Sequence, residues 1–191
     1  MDTRLKRGEK PRSDTFFSAR PPFCSPAEEV IESVLLKAER EPEEHKLPYQ
    51  AKLIADILFD PEIDLETAHQ LLRFAEALSY RQYSILALAR DTSSFDLYDG
   101  PAQNIGPDKL SNAQTSFLSD CWDLELKGLL WTGSSFDLNL YEIYPRRLNL
   151  QPLGKALLKA LALETIPSVD IDPLGNLFSY GSANVPPKEY P

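Results

Sequence analysis

Apolar residues fall at three- and four-residue intervals through much of the chain, the spacing of amphipathic helices. Val30, Ile31, Val34, Leu35 and Ala38 form the first such stripe. It opens at Ser25-Pro26-Ala27-Glu28, where Ser25 suits the N-cap, Pro26 the first helical position and Glu28 the reciprocal place of a capping box. Pro42 closes it, because the residue before a proline avoids the α region. A second helix is predicted over about 43–59, with Leu47, Ile54, Ile57 and Leu58 on its apolar face and Asp60-Pro61 at its end. Asp64 caps a third, whose stripe is Ala68, Leu71, Leu72, Ala75 and Leu78. Ser79-Tyr80-Arg81-Gln82 reads as a capping box for a fourth helix carrying Tyr83, Leu86 and Ala87.

Residues 91–110 gather Asp, Ser, Gly and Pro and are predicted to be a loop. Ser111 or Asn112 caps a fifth helix, in which Phe117, Leu118, Cys121, Trp122 and Leu124 recur at three and four, and Gly128 fits the C′ position. Beyond Gly128 the period changes. Leu129, Leu130 and Trp131 can enter a short strand, and Leu138, Leu140, Tyr141 and Ile143 suggest a second after the Gly133-Ser134-Ser135 turn. Leu148 and Leu150 alternate with Asn149 and Gln151, a third short strand signal. A last helix starts at Pro152-Leu153-Gly154, carries Leu157, Leu158, Leu161 and Leu163, and stops at Pro167.

The expected class is therefore mainly α, a small helical bundle followed by a unit with a short β-hairpin. The expected divisions are a flexible basic leader over 1–24, an acidic helical bundle over 25–78, a second unit over 79–163 and a Pro-rich extended tail over 164–191, with Leu174, Leu177, Phe178 and Tyr180 as the residues that can pack it. The leader carries a net charge of +3, and Pro11, Pro21 and Pro22 disfavour a helix in it. Phe16, Phe17 and Phe23 are residues that can tether it to a body.

At 191 residues the chain is long enough for one ordinary domain, and its 42% hydrophobic and 26% charged residues are ordinary globular composition. Its net charge of −9 disfavours nucleic acid, whose phosphates an acidic surface repels. Two isolated cysteines, Cys24 and Cys121, fit a reducing compartment, and no apolar run reaches the length of a membrane-spanning helix. With no apolar signal region at the N-terminus, a cytoplasmic protein is expected.

No familiar chemistry assembles from the remaining signals. Glu66 and His69 have the spacing of one half of a di-iron motif, but the residue three before the only other histidine, His45, is Pro42. Cys121 falls on an apolar helix face, where a structural thiol is the default. No Gly-x-Ser-x-Gly sequence occurs, and Gly100, Gly106, Gly128 and Gly133 lack the context of a phosphate loop. No cofactor, metal or catalytic residue is predicted.

Charge is what remains. Residues 25–78 hold thirteen Asp and Glu against five Lys and Arg, densest at Glu39, Glu41, Glu43 and Glu44. Such a run is either a solvated helix end or an electrostatic partner surface. Arg81, in the capping box, either serves local structure or grips an anionic group on a partner.

The order from the fourth helix onward resembles a known arrangement. Asp123-Leu124-Glu125-Leu126-Lys127-Gly128-Leu129-Leu130 resembles a winged-helix recognition helix running into the first wing strand, and Leu148-Asn149-Leu150-Gln151-Pro152-Leu153-Gly154 resembles the second wing strand and following helix. Gln151 stands where threonine is usual in that phrase. The whole layout is similar to bacterial helical proteins of the Abi-alpha abortive-infection type. The resemblance implies a winged-helix-like unit over 79–163 and a setting in phage defence. A winged helix invites DNA binding, with Asn112, Gln114, Arg146 and Arg147 as the available contacts. Residues 111–128 nevertheless carry a net charge of −2, the wrong sign for a reading helix. The leading expectation is a non-enzymatic interaction or regulatory module that binds a protein partner through Glu39, Glu41, Glu43, Glu44, Arg81, Arg146 and Arg147. A DNA-binding regulator and an enzyme with an unrecognised site are the alternatives.

Overall fold

The computed structural model describes residues 2–19, 21–134, 139–182 and 184–188. The chain is mainly helical, and among those residues the only sheet is a two-stranded antiparallel one. Its contacts divide it into two units, Met1–Tyr80 with Ala160–Ala162 and Arg81–Lys159 with Leu163–Pro191. No helix is long and apolar enough to cross a membrane.

The first unit is built on α1 (Asp2–Lys6), α2 (Pro26–Ala38), α3 (Leu47–Phe59) and α4 (Leu65–Ala77). Local sequence starts two of them. The Ser25 hydroxyl accepts the Glu28 N–H while the Glu28 carboxylate accepts the Ser25 N–H, a complete capping box. Asp64 accepts the Thr67 N–H at 2.7 Å to cap α4. α2 packs on both α3 and α4. Val30, Leu53, Ile57, Ala68 and Leu78 are fully buried, and each large aliphatic among them contributes roughly 1.5–3 kcal/mol of transfer free energy.

Residues 12–17 depart from the expected flexible leader. Arg12 and Phe16 are buried, and the 3-10 turn Thr15–Phe17 packs on α2. The Arg12 guanidinium donates to the carbonyls of Ile57 (3.2 Å), Ile63 (2.6 Å) and Pro61 (3.3 Å), pairs with Asp14 at 2.5 Å and lies 4.1 Å from the Phe16 ring centroid. It holds the Asp14 carboxyl below the ordinary range. A planar fork of donors thus closes the C-terminal end of α3, where carbonyls lack helical partners and positive charge is favoured. Replacing Arg12 by alanine is expected to lower the unfolding free energy by about 3 kcal/mol, read by urea denaturation, and lysine restores only part of it.

The second unit begins in α5 (Tyr80–Arg90), buried at every residue from Gln82 to Ala89. α6 (Asn112–Leu126) follows, opened by a capping box between Ser111 and Gln114 and ended by Gly128 at φ +69°. β1 (Leu130–Trp131) pairs antiparallel with β2 (Asn149–Leu150), Leu130 opposite Leu150 and Trp131 opposite Asn149. The strand expected over 138–143 is not formed at its described residues; Leu138 lies outside them. Leu140–Glu142 is a 3-10 turn, capped by the Asn139 side chain, which accepts the Tyr141 N–H at 3.0 Å. Pro145 lacks an N–H and opens a second such turn, so the chain reaches β2 without a ladder.

α7 (Pro152–Leu161) and α8 (Ser168–Asn176) complete the fold. The expected extended tail is thus partly helical and partly core. Phe178 is fully buried, with its ring centroid 5.6 Å from that of Phe117, and Leu97 and Ser179 form an antiparallel bridge. The Tyr98 N–H donates to the Phe178 carbonyl at 2.8 Å and the Tyr180 N–H to that of Asp96 at 2.9 Å.

Candidate functional site

The densest polar arrangement lies in the first unit, where the chain turns from α2 into α3. Pro42 prevents α2 from continuing, and the turn 39–46 distributes its four glutamates to different tasks. The Glu41 side chain points inward and is only 6% exposed. Its carboxylate accepts Lys46 Nζ at 2.7 Å, Gln50 Nε2 at 2.9 Å and the Glu43 N–H at 3.2 Å. Burial alone would push this carboxyl up. The hydrogen bonds from Lys46, Glu43 and Gln50 and the Lys46 charge outweigh burial and hold it below the ordinary carboxylate range.

Lys46, 2% exposed, also donates to the Glu76 carbonyl at 3.0 Å, and Gln50 to the Ala75 carbonyl at 3.3 Å. One helix thereby satisfies the terminal carbonyls of another, at the end where a cation is favoured. Glu43 does the opposite service, its carboxylate accepting the Tyr80 N–H at the start of α5 at 3.1 Å. Glu39 and Glu44 remain exposed. Beside this network is a cavity of about 350 Å³, near the lower end of ligand-sized pockets, with Leu36, Arg40, Pro42, Glu43, Lys46 and Leu78 in its wall. Its acid and base, Glu41 and Lys46, are spent on each other.

The outer face of α2 runs up to this cavity. Ile31 and Leu35, one helical turn apart, are both exposed, Leu35 at 66%, and Leu36, on another side of the helix, is exposed in the cavity wall. Phe23, two residues before the N-cap, is 75% exposed. Glu28, Glu32 and Glu39 are exposed, and at helical spacing they fall along one side of the Ile31–Leu35 step, between it and Leu36. Among the described residues, the carboxylates of Glu32 and Glu39 form no ion pair or side-chain hydrogen bond. Periodicity placed Ile31 and Leu35 with the core-facing residues of this helix; Val30, Val34 and Ala27 alone fill that face.

A larger hollow, about 720 Å³, involves Glu29, Glu66, His69 and Arg73. His69 Nε2 is 3.1 Å from a Glu29 oxygen. Among the described residues no group of three or more His, Cys, Asp or Glu is placed to hold a metal ion.

In the second unit the three arginines singled out from the sequence stand apart in use. Arg81 pairs with Asp120 at 2.5 Å and reaches the Ser116 carbonyl at 3.4 Å. Burial raises the Asp120 carboxyl, against the pull of Arg81. Arg146 pairs with Asp99 at 2.9 Å, and the Arg147 guanidinium lies 4.2 Å from the Tyr144 ring centroid. The polar residues of α6 are similarly engaged. Asp123 accepts from Gln82 at 2.8 Å and pairs with Lys127, and Glu125 accepts the Thr132 hydroxyl at 2.6 Å. Gln114, expected as a possible base contact, is buried and donates to the Leu177 carbonyl at 2.8 Å. Cys121 is fully buried, and burial pushes its thiol well above the ordinary range, so it stays protonated.

Sequence reasoning missed Lys46, Gln50 and Arg12. A signal existed for the first two: positions 46, 50, 53 and 57 fall on one helical face, so Lys46 and Gln50 line up with buried Leu53 and Ile57. Comparison with known proteins found no matching family, no similar curated protein and no similar solved structure.

Proposed function

We propose that the chain is a non-enzymatic protein-interaction module and that α2 presents its contact surface. The observation that carries this reading is the exposed pair Ile31 and Leu35, one turn apart on a helix already packed through Ala27, Val30 and Val34. Apolar side chains clustered on one exposed face, rimmed by polar ones, mark contact sites more often than chance exposure. Glu41 and Lys46 at the cavity are paired with each other and Cys121 is buried, which supports contact rather than catalysis.

In the same reading residues 79–163 are a winged-helix-like unit used for protein contact. The order α6, β1, β2, α7 supports the likeness, and the engagement of Gln114, Asp120 and Asp123 within the unit favours protein over DNA as its target. The likeness of layout to abortive-infection proteins makes phage infection of a bacterial cell the proposed setting.

Affinity capture with the wild-type chain and with a Leu35→Ser variant, each with and without nuclease treatment, tests the reading. Serine at this exposed position is expected to change stability by less than about 0.5 kcal/mol. A defined protein retained by the wild type and lost from the variant is expected. Recovery of nuclease-sensitive nucleic acid, equal for both baits, would overturn the proposal.

A further inference from the structure

We infer that the occupant of the α2 face is a basic amphipathic helix of a partner protein, its apolar side chains on Ile31 and Leu35 and its lysines or arginines against Glu28, Glu32 and Glu39 beside them. The inference rests on the interaction reading above and adds the chemistry of the partner.

Charge complementarity selects the occupant. Three carboxylates lie along one side of the Ile31–Leu35 step, and those of Glu32 and Glu39 form no ion pair or side-chain hydrogen bond among the described residues. Of the nearby cations, Lys37 is held by Glu76 at 2.5 Å and Lys46 by Glu41, which leaves Arg40 at the far end of the face. The face is therefore negative along its length, and opposing like charges across an interface are disfavoured. A nucleic acid or an anionic membrane would be repelled. A second copy of this chain would bring the same excess of carboxylates to a two-fold contact, because such an interface opposes a patch to itself. A partner helix with basic flanks meets both requirements, since helix-on-helix packing reads residues at three- and four-residue spacing, the spacing of Ile31 and Leu35.

The test is selection from a displayed library of helical peptides, each with a leucine stripe and with flanking positions randomised among Lys, Glu, Gln and Ser, against the full chain. Enriched peptides are expected to carry Lys on the flanks. Their affinity is expected to fall about tenfold with Leu35→Ser, and about tenfold with the pair Glu32→Lys and Glu39→Lys, the latter loss shrinking at high salt. Enrichment of neutral or acidic flanks, with binding still lost in Leu35→Ser, would sink the basic partner and leave the contact face standing. Peptides unaffected by Leu35→Ser, or no enrichment at all, would sink both. A dimer of the chain in sedimentation that Leu35→Ser dissolves would assign the face to a second copy and overturn the inference.

Discussion

Alanine at position 154 is expected to lower the unfolding free energy by about 4 kcal/mol and the melting temperature by about 10 °C. Gly154 sits in the first turn of α7, directly against the backbone of Leu129. A Cβ there would lie 2.0 Å from the Leu129 carbonyl oxygen and 3.0 Å from its carbon. That oxygen already accepts the Gln151 N–H at 3.0 Å, so the strand end and the helix start are joined at the point of closest approach. Neither backbone can retreat without breaking the register that sets Leu130 opposite Leu150. Gly128→Ala is the informative comparison: its φ of +69° strains a side chain, but nothing lies within 4 Å of the added Cβ, and a loss of about 1 kcal/mol is expected. Calorimetry of both variants reads the order. A Gly154→Ala protein as stable as wild type would contradict the close packing of α7 on β1.

Glu41→Ala is expected to destabilise the first unit by about 3 kcal/mol, because it removes the carboxylate that pairs with the buried Lys46 ammonium. The paired change Glu41→Leu with Lys46→Met is expected to come within about 1 kcal/mol of wild type, since an apolar pair removes the desolvated charges together. The same carboxylate sets an acid limit. Its folded pKa lies below the ordinary 4.5, so its contribution is fully present above about pH 4.5 and is lost as the pH falls through the lower folded value. Urea denaturation across pH 3–7 should therefore find the gap between wild type and Glu41→Gln constant near neutrality and narrowing in acid. A gap that widened in acid, or a double variant as unstable as the single one, would contradict the buried pair.

The parts of the fold that were legible in the sequence are those governed by neighbours along the chain. Ser25 with Glu28, Asp64 with Thr67 and Gly128 at a helix end each obey a rule satisfied within four residues. What the sequence concealed depends on distant partners. Arg12 read as leader charge, yet its ligands are the carbonyls of residues 57–63. Phe178 read as a packing residue of an extended tail, but its partners, Phe117 and the 95–99 segment, lie far along the chain. The strand expected over 138–143 failed because Asn139 turns the chain locally and Pro145 withholds a donor.

The acidic turn was legible only as charge. Of its four glutamates, Glu41 and Glu43 serve the fold and only Glu39 and Glu44 face solvent. The stripe on α2 was seen but assigned to the core, since periodicity finds a helix face without saying which side of a wide apolar arc is covered. The phrase around Gly154, noted for its winged-helix likeness, has a packing reason of its own.

Photo-crosslinking addresses the central claim most directly. A crosslinking residue is placed at position 35, 131 or 146, and adducts are collected from cells that produce the protein and identified by mass spectrometry. Position 35 is expected to yield a defined protein adduct through a basic helical segment. Adducts at 131 or 146 with none at 35 would contradict the account and move the contact to the second unit.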